Sequence, residues 1–452
     1  MDGVQSSRPG AIEGLPPELV CMALSALPDV ESLKVAVLSC PLFYDAFRNA
    51  ETSITTHVLF NQIDASVLPE AMAAFESSCL RPLDKKRPNP NRDATMNFVT
   101  QNLRQRSTPP RNWLLKRALP LGRLHSCVEE LAKQFAEAAL PESSTTHQER
   151  CRIQRALYRF EIYCNLFREL NLEESIIYAD QSNLFFAKFA PWENEQLGCI
   201  HDFLVRAVSP AFNEVVEHNI AWGHARVAYG YSMDAPYIQH ILSLGLKKLY
   251  EITRTEPYED RERVLCSGPA PPPSHFFLYE GFWYANERSD DFWLESPDPA
   301  KDLPYIKQPF YVDQDSGPAD AWRWAHYEES WRNWVYQKNR HSLRKWGYVM
   351  WDRCRLEAIG IFHDPWEETD SDNSEWLLDE EEARRRQAEL YAWWVCLDDS
   401  RLRWHKEAGA SERVVNIRRY IGPCIPKRKE PQSLQEAREM LSMLKIPSRS
   451  RI

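Results

Sequence analysis

Residues 15–43, LPPELVCMALSALPDVESLKVAVLSCPLF, decide how the chain is interpreted, because they combine many large apolar side chains with few charges. Pro17 followed by Glu18 is typical of a helix start, since proline fits the first turn and a carboxylate suits the positive end of the helix dipole. Pro28 ends this helix, and Asp29 is a good N-cap for the next. Apolar residues recur at helical spacing on both sides of the break. The stretch therefore predicts two short helices, the first with an apolar stripe made of Leu19, Met22, Ala23, Ala26 and Leu27.

Three more short helices complete a leucine-rich module over residues 15–80. We expect one to start at Pro41, one to cover 54–63 and one to cover 69–77. A bundle of roughly 65 residues is too small to bury all of its large apolar side chains, so some must contact a partner or the rest of the chain. The candidate partner-binding residues are Leu15, Pro16, Leu19, Leu24, Leu27, Leu33, Leu38 and Phe43. The alternative that stays open is that these residues pack against later helices of the same chain.

The remaining chain predicts further helices, so the fold class is all-α. Residues 1–14 look like a disordered tail. Residues 81–123 hold eleven Lys or Arg, two Asp and six prolines, which indicates a basic, exposed connector that lets the module stand apart. Residues 124–266 predict a helical domain, in which Thr146 and Glu149 form a capping box and residues 153–167 form a buried stripe.

The C-terminal half is divided by proline-rich sequence. The run GPAPPPS marks a linker at residues 267–275, because polyproline cannot continue a helix. Residues 276–420 predict a second helical domain, rich in tryptophan, with Trp324, Trp331, Trp334 and Trp351 facing inward. Tryptophans at helical spacing more often belong to the core of a protein than to a binding groove. Residues 421–452 form a basic tail.

Composition narrows the functional classes. The formal net charge of −10 disfavours nucleic acid as a general partner, although the basic segment 81–123 keeps a nucleic-acid-associated role open as an alternative. The eleven cysteines contain no C-x-x-C, which predicts reduced, buried thiols and a cytoplasmic or nuclear location. The sequence has no secretory signal and no apolar run long enough for a membrane span.

No motif predicts catalysis. The sequence lacks phosphate-binding glycine loops, the nucleophile elbow and the H-E-x-x-H pattern, and we find no histidine paired with a nearby cysteine. We therefore predict a protein that is not an enzyme and has no cofactor, no metal and no catalytic residue.

The N-terminal module resembles the F-box. The similarity runs from L-P-x-E-L at Leu15–Leu19 through Leu24, Leu27, the Pro28–Asp29 break and Leu33 to the Leu38–Ser39 pair before Phe43. This resemblance implies that the helices dock onto the Skp-family adaptor of a cullin ubiquitin ligase and that the rest of the chain recruits an unidentified target. It covers 40–50 residues, and Cys40–Pro41–Leu42 stands where many F-boxes have a basic residue and an aromatic one.

The whole chain is also similar to a large group of fungal proteins that join an F-box-like start to a tryptophan-rich end. The most distinctive run is Trp346–Trp366. That similarity implies a shared architecture and no particular activity. A helical scaffold, in which the F-box-like segment is simply part of the fold, remains the alternative.

Overall fold

The computed structural model describes residues 15–80, 92–103, 112–141, 143–168, 178–219, 236–265, 277–287, 309–327, 335–337 and 340–367. These residues form sixteen α-helices, one π-helical turn and one 3-10 turn, and none of them lies in a strand. The all-α fold class is therefore confirmed. Several predicted regions lie outside the described residues. They are the tail at 1–14, the linker at 267–275, the part of the tryptophan-rich region after residue 367 and the tail at 421–452.

The helices of the N-terminal half are α1 (Pro17–Ser25), α2 (Val30–Ser39), α3 (Pro41–Gln62), α4 (Leu68–Cys79), α5 (Arg92–Phe98), α6 (Leu115–Ala139) and α7 (His147–Leu166). Those that follow are α8 (Tyr178–Leu184), α9 (Pro191–Asn219), α10 (Pro236–Ser243), α11 (Leu246–Arg254), α12 (Tyr258–Leu265), α13 (Phe277–Glu287), α14 (Gly317–Ala325), α15 (His341–Lys345) and α16 (Arg353–Ile359). Within the described ranges, no helix has the length and apolar character needed to cross a membrane.

Two predicted boundaries differ from the structure. The third and fourth predicted helices form one element, α3, and a non-helical Ala50 marks the kink between them. The predicted connector 81–123 is helical over residues 115–123, because α6 begins at Leu115 and carries Pro120 near its N-terminus. Pro120 lies beyond the first turn of α6, so it removes the hydrogen bond that a backbone N–H there would donate to the Lys116 carbonyl.

The long helix α7 is the centre of the fold. The capping box at its start is confirmed, since the Thr146 hydroxyl accepts from the Glu149 amide and the Glu149 carboxylate accepts from the Thr146 amide. The predicted buried stripe is also confirmed at Ile153, Leu157, Phe160, Cys164 and Phe167. From Cys151 onward the opposite side of the helix is largely buried as well, against α4, α6 and the C-terminal segment.

One compact unit contains residues of the predicted module, the middle domain and the tryptophan-rich domain. It contains the described residues up to Val215 and those from Pro236 to Glu367. Its core includes Trp322 and Trp351, which are 1% and 0% exposed. Trp324 is only half-buried, while Trp331 and Trp334 lie outside the described residues. The run Tyr348–Trp351 is completely buried, and Trp351 lies against Phe135 of α6.

Buried ion pairs explain why the predicted domains share a core. Arg152 on α7 donates to Asp313 at 2.6 Å and to Asp352 at 2.6 Å, residues about 160 and 200 positions later in the chain. Arg344 on α15 donates to Asp202 on α9 at 2.7 Å. Although burial raises the pKa of Asp202, the adjacent Arg344 guanidinium holds it well below its usual range. A buried charge without its partner is strongly destabilising, so separation of these segments would cost a large free energy.

Candidate functional site

Helix α1 is attached to α3 along one side only. Val20 and Leu24 are buried against the body of the protein. The Asn61 side-chain amide of α3 donates to the Ser25 and Leu27 carbonyls at 2.8 and 3.0 Å. These bonds satisfy carbonyl groups at the C-terminal end of α1, which have no partner within the helix. The orientation of α1 is therefore set by two apolar anchors and a side-chain cap.

Helix α2 is held by a local cap and by one bridging glutamine. The Asp29 carboxylate accepts from the Ser32 amide and hydroxyl, each at 2.7 Å, which confirms Asp29 as the N-cap. Gln62 accepts from the Val30 amide at 3.3 Å and donates to the Gly122 carbonyl of α6 at 3.1 Å. Gln62 thus ties the start of α2 to both α3 and α6, and the first two helices rest on a rigid support.

The outward faces of these helices are apolar. Leu15, Leu19 and Met22, in and just before α1, are exposed and repeat at helical spacing. On α2, Val35 and Leu38 are exposed and lie about one turn apart. We call this set the N-terminal apolar surface, and it consists of Leu15, Leu19, Met22, Val35, Leu38 and Tyr44. Their exposed fractions run from 39% for Leu15 to 72% for Leu38. Glu18 is the only charged residue of α1.

The predicted partner-binding residues divide into two groups. Leu15, Pro16, Leu19 and Leu38 are exposed, and Leu27 and Phe43 are half-buried. The prediction for Leu24 and Leu33 needs correction, because they are 2% and 0% exposed and belong to the protein's own core. The helical period could not reveal this, since apolar residues occur on every side of α1 and α2.

Sequence reasoning also missed part of the surface. Met22 belongs to the predicted apolar stripe of α1 and is exposed, together with Ala23 and Ala26, but it was not among the candidate partner-binding residues. Val35 and Tyr44 were not singled out, although they are 66% and 50% exposed. The signal that could have found Val35 is its three-residue spacing from Leu38, which places both on one side of α2.

The module does not stand apart from the body. Asn165 of α7 donates to the Ala74 carbonyl of α4 at 3.1 Å, and Arg159 of α7 donates to Glu70 of α4 at 3.2 Å inside the core. Residues 15–80 are thus one edge of the compact unit. The N-terminal apolar surface is consequently exposed on a pre-formed support and needs no folding on binding.

The described part of the basic segment makes ion pairs within the chain. Arg117 donates to Glu76 at 3.0 Å, and Arg123 pairs with Glu31 of α2. The cluster Lys85–Arg87 lies outside the described residues. These two cations already face carboxylates of their own chain, whereas seven of the eleven Lys and Arg residues of the segment lie outside the described residues, so the nucleic-acid alternative stays open.

A cleft of about 120 Å³ lies between α7, α9 and the segment before α14. Its charged groups pair with one another, since Arg159 donates to Glu193 at 2.7 Å and Arg155 donates to Asp313 at 3.3 Å. The Arg155 guanidinium also stacks over the Tyr311 ring at 3.7 Å. These ion pairs join α7 to α9 and to the segment before α14, so the charged residues of the cleft have a structural role.

The prediction that no histidine pairs with a nearby cysteine is wrong. Contrary to the statement that no histidine has a cysteine nearby, His147 and Cys151 lie one turn apart on α7, with Nε2 and Sγ separated by 3.6 Å. Asp64, between α3 and α4, places its Oδ2 3.0 Å from the same Nε2. The i, i+4 spacing of His147 and Cys151 was a visible signal, whereas the approach of Asp64 depends on the tertiary fold.

Comparisons with known proteins identify no relative. No family model matches the chain, and neither a curated protein nor a solved structure matches it.

Proposed function

We propose that the protein is a non-catalytic adaptor that binds another protein through its N-terminal apolar surface, and that this partner is the Skp-family adaptor of a cullin ubiquitin ligase. The observation that carries the proposal is the exposure of Leu19, Met22 and Leu38 on helices that are otherwise firmly anchored. Exposed apolar side chains that repeat at helical spacing on anchored helices fit a contact with another protein.

The energetics favour a protein partner. Complete burial of a leucine or methionine side chain stabilises a complex by about 1.5–3 kcal/mol relative to full exposure. Leu38, which is 72% exposed, and Met22, which is 66% exposed, retain most of that contribution for a partner. The buried residues Leu24 and Leu33 hold the helices in place while the exposed ones are offered to the partner. An amphipathic helix laid into an apolar groove is a common use of such a face.

The choice of a Skp-family adaptor rests on the F-box resemblance at residues 15–43. In this proposal the body of the protein recruits a target, and the N-terminal helices bring it to the ligase. Recruitment acts by raising the effective concentration of the target near the catalytic subunits, so the chain itself needs no catalytic group.

The test is binding of the purified full-length chain to a purified Skp-family adaptor by titration calorimetry. The double variant Leu19→Lys, Leu38→Lys should weaken binding at least tenfold, because it places two charges in the interface. Val312→Lys is the matched control, since Val312 is 74% exposed but belongs to a different segment, and it should leave binding unchanged. Because all three side chains are exposed, the variants should keep the circular dichroism and melting temperature of the wild type.

Equal affinity of the double variant and the wild type would show that the surface does not mediate the contact. Absence of any binding by the wild type would refute the ligase assignment and favour the helical scaffold, whose F-box-like segment is one edge of its core.

A further inference from the structure

Three metal-ligand side chains converge where the N-terminal helices contact α7. The imidazole of His147 and the thiol of Cys151 come from the first turns of α7, and the carboxylate of Asp64 comes from the connection between α3 and α4. The ligand atoms of all three groups lie within 4.8 Å of one another. Cys151 is buried at 3% exposure, Asp64 is half-buried and His147 is exposed. The cluster is thus open to solvent on its histidine side.

The surrounding structure holds each group in position. The Ser66 amide donates to Asp64 Oδ1 at 2.7 Å, which leaves Oδ2 directed at His147. The backbone carbonyl of Asp64 accepts from the amides of Val67 and Leu68 at 2.9 and 3.0 Å. The capping box at Thr146 fixes the start of α7, from which His147 projects. Such hydrogen bonds to a ligand are typical of metal sites, because they orient the donor atoms before the ion binds.

The two distances from His147 are close to the edges of a tetrahedral site. With Zn–N near 2.0 Å, Zn–S near 2.3 Å and Zn–O near 2.0 Å, tetrahedral angles separate N from S by about 3.5 Å and N from O by about 3.3 Å. The structure has 3.6 Å between His147 Nε2 and Cys151 Sγ, and 3.0 Å between His147 Nε2 and Asp64 Oδ2. The imidazole is therefore placed within about 0.3 Å of the separations that coordination requires, and the third pair of ligand atoms lies within 4.8 Å.

Hydrogen bonds also bring these groups together, since His147 Nε2–H can donate to Asp64 Oδ2 at 3.0 Å and the Cys151 thiol pairs with the Ser66 side chain. One bound cation would accept electron pairs from all three groups at once.

We propose that Asp64, His147 and Cys151 form a binding site for a zinc ion, with water at the fourth position. A thiolate and an imidazole favour zinc over calcium or magnesium, which prefer oxygen ligands. The carboxylate and the thiolate together neutralise the charge of the ion. Arg155, whose guanidinium lies 3.4 Å from the Ser66 hydroxyl, and the neighbouring Arg150 oppose the ion electrostatically. The affinity is consequently below that of closed sites with four protein ligands. The bound ion links the connection between α3 and α4 to the start of α7.

The test uses the full-length chain after dialysis against a chelator. Calorimetric titration with Zn²⁺ should give one site per chain, and Co²⁺ should produce the near-ultraviolet absorption of a cobalt–thiolate bond. Cys151→Ser should abolish that absorption, and His147→Gln should weaken Zn²⁺ binding at least tenfold. Because His147 is exposed, its variant should fold normally.

Matched controls are Cys79→Ser and His57→Gln, which replace an exposed cysteine on α4 and an exposed histidine on α3. Neither should change the stoichiometry or the affinity. The proposal is overturned if the wild type binds no Zn²⁺ at 100 µM, if the cobalt spectrum survives Cys151→Ser, or if a control variant loses the ion equally. The Leu19→Lys, Leu38→Lys variant changes none of the three zinc ligands and should bind Zn²⁺ like the wild type. The adaptor proposal and the zinc proposal can therefore be refuted independently.

Discussion

Replacement of Arg152 by methionine should strongly destabilise the protein. The guanidinium is fully buried and donates to Asp313 at 2.6 and 3.1 Å, to Asp352 at 2.6 Å and to the Met350 carbonyl at 3.1 Å. Although burial raises the pKa of Asp313, the Arg152 guanidinium lowers it below its usual range, so the carboxylate is charged in the native state. Methionine keeps much of the side-chain volume and removes the charge, which isolates the effect of the ion pairs.

The magnitude follows from the number of carboxylates left without this partner. Removal of one member of a buried ion pair costs about 3–5 kcal/mol, since the remaining charge stays in a medium of low polarity. Asp313 still has Arg155 at 3.3 Å, whereas the Asp352 carboxylate keeps the Thr146 hydroxyl at 2.6 Å and the charge of nearby Arg355. We therefore expect a loss near the lower limit, about 3 kcal/mol, which for a folded unit of this size corresponds to a fall in melting temperature of roughly 3–5 °C.

The assay is thermal unfolding together with urea denaturation at pH 7. Arg150→Met is the matched control, because Arg150 lies on the same helix with its side chain exposed, and it should change the free energy of unfolding by less than about 0.5 kcal/mol. If the two variants were equally stable, the buried network would not join the C-terminal segment to α7, and the single-core interpretation would be wrong.

Two further predictions concern acid stability and the buried turn before Trp351. Burial lowers the pKa of His125 to about 4, so the unfolded chain binds more protons below pH 6.5 and the free energy of unfolding should fall by up to roughly 3 kcal/mol between pH 6.5 and 4. Urea denaturation at pH 7 and pH 4.5 should show a smaller fall in the free energy of unfolding for the variant His125→Asn. An unchanged pH dependence would contradict this origin. Gly347 has φ +68° and a Cβ there would lie 2.8 Å from Phe135, so Gly347→Ala should cost about 1–3 kcal/mol in a thermal melt. Gly360→Ala, at φ +84° but beside an exposed histidine ring, should cost less, and equal costs would exclude the clash with Phe135.

Local sequence signals predicted the helical elements well where the responsible interactions are local. The capping box at Thr146 and the N-cap at Asp29 involve residues three positions apart, so their chemistry is visible in the sequence. Helix boundaries failed where local signals were ambiguous. Pro120 resembles a breaker, yet α6 continues through it, because packing against α2, α3 and α7 outweighs the loss of one backbone hydrogen bond.

The candidate surface was only partly predictable. The sequence indicated that α1 carries more apolar surface than a small module can bury, and the exposure of Leu19 and Leu38 agrees with that expectation. It did not indicate which side of the helix would face α3, because Val20 and Leu24 are as apolar as Leu19 and Met22. That choice depends on the shape of the neighbouring helices.

The sequence by itself determined that this chain is all-helical and that its first helices carry excess apolar surface, because periodicity and capping act over a few residues. Only the tertiary structure decided that Arg152 and Arg159 lie in the core, since a helix with charges at such spacing normally has a solvated face and their carboxylate partners are distant in sequence. The approach of Asp64 to His147 was decided in the same way. Pairing of charged groups over long sequence distances depends on how helices pack, and the periodicity of one helix contains no information about its neighbours.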